Sequence, residues 1–129
     1  MLDKNTALGA ASEEGAGRIW ILCGNGGVSL PEEMLRGAVG AMTGFGYPEM
    51  MAAVVAAYTA GDMGRAQDIF DCYLSMVRYE SQPGIGLAIR KYTLAKRGAI
   101  AHPTLRKPGP GLLAATVAEV AALAVRQAA

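Results

Sequence analysis

The chain has 129 residues, with 52% apolar and 18% charged side chains; this size and make-up fit one folded unit and exclude a disordered tail or a multidomain enzyme. Twelve Lys and Arg against eleven Asp and Glu leave a formal net charge of +1, which provides no broad field to attract nucleic acid or an anionic membrane. With 24 alanines and 17 glycines, few bulky side chains remain, so a thin core is expected.

Residues 1–17 are small and polar without a sustained period, which predicts a weak helix or a loose end. Residues 18–23 (RIWILC) are a short apolar run bounded by glycines, as expected of a parallel strand buried on both faces. Gly24-Asn25-Gly26-Gly27 then forms a turn. Ser29 and Glu32 have the spacing of a capping box, opening a short helix that Gly37 ends. Residues 38–43 (AVGAMT) form a second apolar run, so the unit reads strand, helix, strand, a right-handed parallel crossover. After the turn Gly44-Phe45-Gly46-Tyr47, Pro48 suits the first turn of a helix to about residue 60, which Gly61 stops.

Asp62 is placed to cap the next helix, to about residue 80, with Met63, Ala66, Ile69, Phe70, Tyr73, Met76 and Val77 on its apolar face. Gln82-Pro83-Gly84 breaks the chain. A further helix over residues 85–97 carries Arg90, Lys91, Lys96 and Arg97 in its second half, where positive charge complements the helix dipole. Residues 99–111 are rich in proline and glycine and predict an irregular connection, followed by a helix over about 112–126. The sum is two short strands and four or five helices, without an internal repeat. No apolar run approaches the ~20 residues of a membrane span, and no targeting segment is apparent at the N-terminus.

Cys23 and Cys72 lie far apart without metal-type spacing, and are read as buried free thiols in a reducing cytoplasm rather than as a disulfide. The two glycine-rich turns each follow a strand, where parallel α/β proteins place their ligands. Each is open to two readings, a plain tight turn or a ligand-facing loop whose backbone N–H groups receive a carboxylate or phosphate. Neither is a dinucleotide fingerprint or a P-loop. His102, the only histidine, precedes a proline in a loop and reads as a surface residue. Glu13-Glu14 and Glu32-Glu33 read as solvated or capping pairs, and Ser29 as a cap with no histidine to activate it. The basic cluster at 90–97 reads as a helix-end complement rather than an RNA surface. Tyr58, Tyr73, Tyr79 and Tyr92 read as core or interface residues.

The words ILCGNGG, RGAVGAMTGFGYPEM, AAYTAGDMGRAQDIFDCYL, RYESQPGIGLAIRKY and LAKRGAIAHPTLRKPGPGL occur in this order between residue 18 and about residue 126. Through them the chain resembles the C-terminal portion of the dihydrodipicolinate synthase / N-acetylneuraminate lyase family. The resemblance implies an α/β fold that is the C-terminal part of a (β/α)8 barrel. Residues 18–23 would be strand seven and 38–43 strand eight, with a helical extension behind them. The expected divisions are an N-terminal segment over 1–17, a partial barrel over 18–80 and the C-terminal helical extension over 81–129.

The activity implied is that of a class I aldolase-type lyase, similar to 4-hydroxy-tetrahydrodipicolinate synthase. It joins a strand-six lysine to pyruvate or another 2-keto acid as a Schiff base, with no cofactor and no metal. By the same resemblance Gly24, Asn25, Met42, Thr43 and Gly44 line the keto-acid site, where small residues permit close approach and backbone dipoles orient a carboxylate. The family's lysine, its proton-donating tyrosine and its threonine-bearing carboxylate loop belong to parts that precede this chain. Lys4 is the only lysine ahead of Arg18, and its neighbours Asp3 and Asn5 do not reproduce the family's lysine motif. The expectation is therefore a lyase fragment with no catalytic residue of its own, inactive alone, that forms a homo-oligomer or joins a complementary barrel fragment. Two rivals are a non-catalytic helical association module and a small-anion binder built on the two turns.

Overall fold

The structure, a computed structural model, describes residues 2–14, 17 and 19–128. Gly15 and Ala16, in the expected N-terminal segment, and Arg18, at the expected start of the first strand, lie outside the described residues, as do the side chains of Glu13 and Glu14. The segment left open between a weak helix and a loose end holds a 13-residue helix, α1 (Leu2–Glu14). It is fastened to the next helix by Asn5, whose Nδ2 donates to Glu33 Oε2 at 3.1 Å, and by an exposed Asp3–Arg36 ion pair at 2.7 Å.

Strand β1 (Leu22–Cys23) and strand β2 (Gly40–Ala41) run parallel, with Leu22 opposite Gly40 and Cys23 opposite Ala41. The crossover between them is α2 (Leu30–Leu35). The expected strands were six residues each; the observed ones are two, with single ladder bonds beyond them from Val39 N to Ile21 O and from Met42 N to Cys23 O, both 2.9 Å. Burial on both faces is also not found, since Trp20 is 69% and Leu22 47% exposed. A parallel strand acquires length and cover from a neighbour on each edge and a helix layer on each face, whereas among the described residues β1 and β2 pair only with each other.

The rest is helical: α3 (Pro48–Thr59), α4 (Met63–Glu80), α5 (Gly86–Lys96) and α6 (Ala114–Ala128). Six α-helices among the described residues exceed the four or five expected, because α1 is well formed. Local chemistry sets most boundaries. Pro48 opens α3 where its missing N–H costs nothing, and the Asp62 side chain accepts from Arg65 N at 3.0 Å to cap α4. Gly61, with φ +83°, turns the chain between them. The Ser29–Glu32 capping box does not form. Ser29 has φ −122° and ψ 33° rather than the extended backbone of a capping serine, and its side chain makes no cap bond.

The core lies where α3 and α4 pack together and meet α2, α5 and the β1 edge. Leu30, Met50, Val54, Met76, Val77, Ile89 and Cys23 are fully buried. Four methionines, Met34, Met50, Met51 and Met76, supply much of its volume, as suits a chain short of branched side chains, because an unbranched thioether fills irregular gaps. Tyr58, Tyr73, Tyr79 and Tyr92 are partly buried against this core, as expected. Met63, expected on the apolar face of α4, is exposed in the first turn. Cys72 is exposed rather than buried because it falls on the outer face of α4 beside Asp71. Among the described residues no helix is long and apolar enough to cross a membrane.

Candidate functional site

Because β1 and β2 are parallel, the turns that follow them emerge from one end of the pair. The first is a single 3-10 turn over Asn25–Gly27, closed by Gly27 N donating to Gly24 O at 2.9 Å. Asn25, Gly26 and Gly27 have φ of 49°, 69° and 72° in succession, a left-handed path that Asn and Gly tolerate best. A Cβ at Gly27 would also lie 2.7 Å from Met51 Sδ, so the tip of that flexible side chain would have to shift. The same Cβ position is 3.5 Å from Thr43 Cγ2, so the two turns adjoin.

The second turn, Thr43-Gly44-Phe45-Gly46-Tyr47, is held by the C-terminal helices. Glu80, at the end of α4 and 4% exposed, accepts from Gly46 N at 2.9 Å through Oε2 and from Arg90 Nε at 2.6 Å through Oε1. Arg97, the residue after α5, donates from Nη1 to Gly46 O at 2.6 Å. It also pairs with Glu49 and lies over the Tyr47 ring at 4.3 Å. Both backbone polar atoms of Gly46 are thus bound by charged side chains, the stronger kind of hydrogen bond. There is no space for a side chain at either glycine. A Cβ on Gly46 would lie 2.8 Å from Thr93 Cγ2, and one on Gly44 would overlap the Arg90 guanidinium.

The positions expected to line a keto-acid site are distributed around this mouth. Gly24 is half-buried at the head of the first turn, and Met42 N continues the ladder while its side chain is exposed. Asn25 lines a cavity of about 140 Å³ with Gly26, Val77, Glu80, Ser81 and Arg90. Thr43 faces a separate open groove with Leu22, Met51 and Val55. Gly44 backs onto Arg90. The five positions share one end of the strand pair, but Asn25 and Thr43 line different cavities.

Two titratable groups here are displaced from their ordinary values. Burial, with an opposing contribution from the Arg90 guanidinium and the Gly46 amide, pushes the Glu80 carboxyl up. Burial and then the Glu33 carboxylate push the Cys23 thiol up to about 12, so it is held protonated and is no nucleophile. Glu33 is itself buried, contrary to the reading of Glu32-Glu33 as a solvated or capping pair, because it lies inward on α2 beneath Asn5. His102 is exposed. No group of three His, Cys, Asp or Glu side chains among the described residues could hold a metal ion.

Sequence reasoning did not single out Glu80 and read Arg90 and Arg97 only as helix-end charges, yet a signal for Glu80 was present. Glu80 continues the apolar stripe of α4 at the next helical step after Met76 and Val77, and an acid on a core face needs a cation or N–H partner. The basic residues of α5 also do more than complement a dipole, because Arg90 and Arg97 each have a specific partner.

Compared with solved structures, the chain is similar to dihydrodipicolinate synthase from Rhodopseudomonas palustris, at 45% identity and a TM-score of 0.92 over 97% of its length. This chain belongs to the dihydrodipicolinate synthase family. Among curated proteins it is similar to L-2-keto-3-deoxyarabonate dehydratase from Azospirillum brasilense, 30% identical over 103 residues, or 80% of the chain. It spans 42% of the length of the solved synthase and 33% of the dehydratase. No family model matches it. As a member of this family it has aldolase- or lyase-type relatives, and its helix-rich fold with one parallel strand pair is consistent with part of a (β/α)8 barrel.

Proposed function

We propose that these 129 residues are the carboxyl-terminal part of a Schiff-base lyase acting on pyruvate or a related 2-keto acid. In this reading β1 and β2 are strands seven and eight, residues 18–80 are partial barrel, and residues 81–129 are the helical extension. The observation that carries it is the pair of adjoining glycine turns at one end of a parallel strand pair, in a chain superimposing on a dihydrodipicolinate synthase with a TM-score of 0.92. Active sites of such barrels are built from the loops after the strands. Gly24, Asn25, Met42, Thr43 and Gly44 form the wall against the keto acid, where backbone N–H groups and small side chains admit its carboxylate closely.

The covalent step needs an uncharged amine beside the keto carbon. Lys4, the only lysine ahead of β1, is exposed on α1, and that helix is fastened to α2, which supports the reading that the 129-residue chain alone forms no Schiff base. Incubation with pyruvate and borohydride followed by mass spectrometry tests this. No adduct is expected, and a stable adduct on Lys4 would overturn the claim of inactivity.

The uncovered face of β1 favours an associating role alongside this one. Leu22, Gly40, Ala41, Thr43, Met51 and Val55 line an open groove of about 550 Å³, the surface a complementary barrel segment or a second copy would cover. Light scattering on a sizing column should show self-association of the chain. A monodisperse monomer with a sharp melting transition would count against any need for a partner.

A further inference from the structure

A cavity of about 370 Å³ separates the second half of α5 from α6, lined by Tyr47, Tyr92, Thr93, Lys96, Arg97 and, across from them, Val120, Ala121 and Ala124. Its volume falls within the ~300–1,000 Å³ typical of small-molecule sites. It does not share a residue with the wall assigned above to the keto acid. One side is apolar, formed by the small and branched residues of α6, and the other carries two phenol rings.

The polar groups in the cavity indicate what it would hold. Thr93 is 3% exposed, its Cγ2 is turned against Gly46, and its Oγ1 is buried without a hydrogen-bond partner. A buried hydroxyl left unpaired costs ~1–3 kcal/mol, a deficit that an acceptor entering the cavity would remove. At the rim, Lys96 Nζ lies 5.6 Å from the centre of the Tyr92 ring, and among the described residues it has no carboxylate partner. Arg97 is different: its guanidinium is already engaged by Gly46 O and Glu49. The site therefore offers one available positive charge, the Thr93 hydroxyl, two phenol rings and an apolar slot. Phosphate, which favours several convergent donors or an arginine fork, is poorly matched. A carboxylate on a flat or short apolar body is well matched, with one end at Lys96 and the body between Tyr92 and α6.

We propose that the α5–α6 cavity is a binding site for a small amphipathic monocarboxylate, anchored by Lys96 and Thr93 and separate from the keto-acid wall. Benzoate is a suitable probe, followed by two-dimensional amide NMR of the 129-residue chain. Saturable shifts are expected at Tyr92, Thr93, Val120 and Ala121, leaving Gly24 and Asn25 unmoved. Thr93→Val, which keeps the shape and removes the hydroxyl, should weaken benzoate by about fivefold or more, and Lys96→Gln should weaken it and remove its salt dependence. Ala121→Phe, at an exposed helical position, should fill the cavity and abolish binding while preserving the amide spectrum elsewhere. Acetate, lacking the apolar body, should bind at least about tenfold more weakly. The proposal is overturned if benzoate causes no saturable shifts, if its shifts centre on the glycine turns, if Thr93→Val binds as tightly as the parent, or if acetate binds as well as benzoate. Because the readout is local to α5 and α6, it is independent of whether pyruvate forms an adduct.

Discussion

The α3–α4 helix pair and the β1–β2 strand pair come from one short chain and are finished to different degrees. The helices enclose Met50, Val54, Phe70, Met76 and Val77 almost completely, whereas the strand pair and the residues flanking it show Leu22, Ile19, Trp20 and Met42 to solvent. A helix satisfies its own backbone and needs cover on one stripe only. A parallel strand depends on neighbours for its hydrogen bonds and on two faces for its burial. A chain with a single unflanked parallel strand pair therefore leaves its helices nearly complete and its strands half made.

Four measurements bear on that contrast. Phe70→Ala should have the largest effect, about 3–5 kcal/mol of lost stability by urea or thermal unfolding, since Phe70 is 2% exposed in the helical core. A loss below about 1 kcal/mol would show that the helices are less complete than described. Gly46→Ala should cost about 1–3 kcal/mol, because the new methyl meets the short, buried Thr93 side chain at 2.8 Å and the Glu80 carboxylate at 3.1 Å. Unchanged stability would mean that the second turn is not held as tightly as its hydrogen bonds indicate.

The pH dependence of the Glu80 anchor follows from the upward displacement of its carboxyl. The folded chain holds that proton more tightly than the unfolded chain. Its contribution is fully present below the ordinary value of 4.5 and is lost as pH rises through the higher folded value. The stability of the parent relative to Glu80→Gln, followed by melts between pH 4 and pH 7, should therefore decline as pH rises; an advantage growing with pH would reverse the assignment. Leu22→Ser should have the smallest effect in the isolated chain, within about 0.5 kcal/mol, because Leu22 is half out in solvent. In a chain whose strand pair is covered by the rest of a barrel, the same change should cost ~2 kcal/mol or more. Equal costs in the two settings would remove the contrast.

Where local chemistry decides, the sequence is readable. Pro48, Gly61 and Asp62 mark the boundaries of α3 and α4 by effects confined to a few residues, and the 3- and 4-residue spacing of Ala66, Phe70, Met76 and Val77 marks the buried face. The parallel pairing of the two apolar runs follows from the helix between them. The Ser29 cap failed for an equally local reason: the crossover imposes a backbone that does not aim the hydroxyl. The site was legible only in outline, as two glycine turns after two strands. Its anchors were hidden because Glu80 and Gly46 are 34 residues apart, and Arg97 and Gly46 51 apart, separations across which no residue spacing has meaning.

The sequence by itself determined helices α2 to α6, most of their ends, the parallel strand pair and the family to which those words belong. Each depends on interactions within a turn or two of chain, or on a pattern retained in order. Only the tertiary structure decided that Glu80 and Arg97 hold the backbone N–H and C=O of one glycine, Gly46, that Glu33 is buried and Cys72 is not, and that a cavity remains between α5 and α6. Those outcomes depend on which faces meet, and burial, which makes an acid seek a cation and leaves a hydroxyl unpaired, is a property of the packed chain.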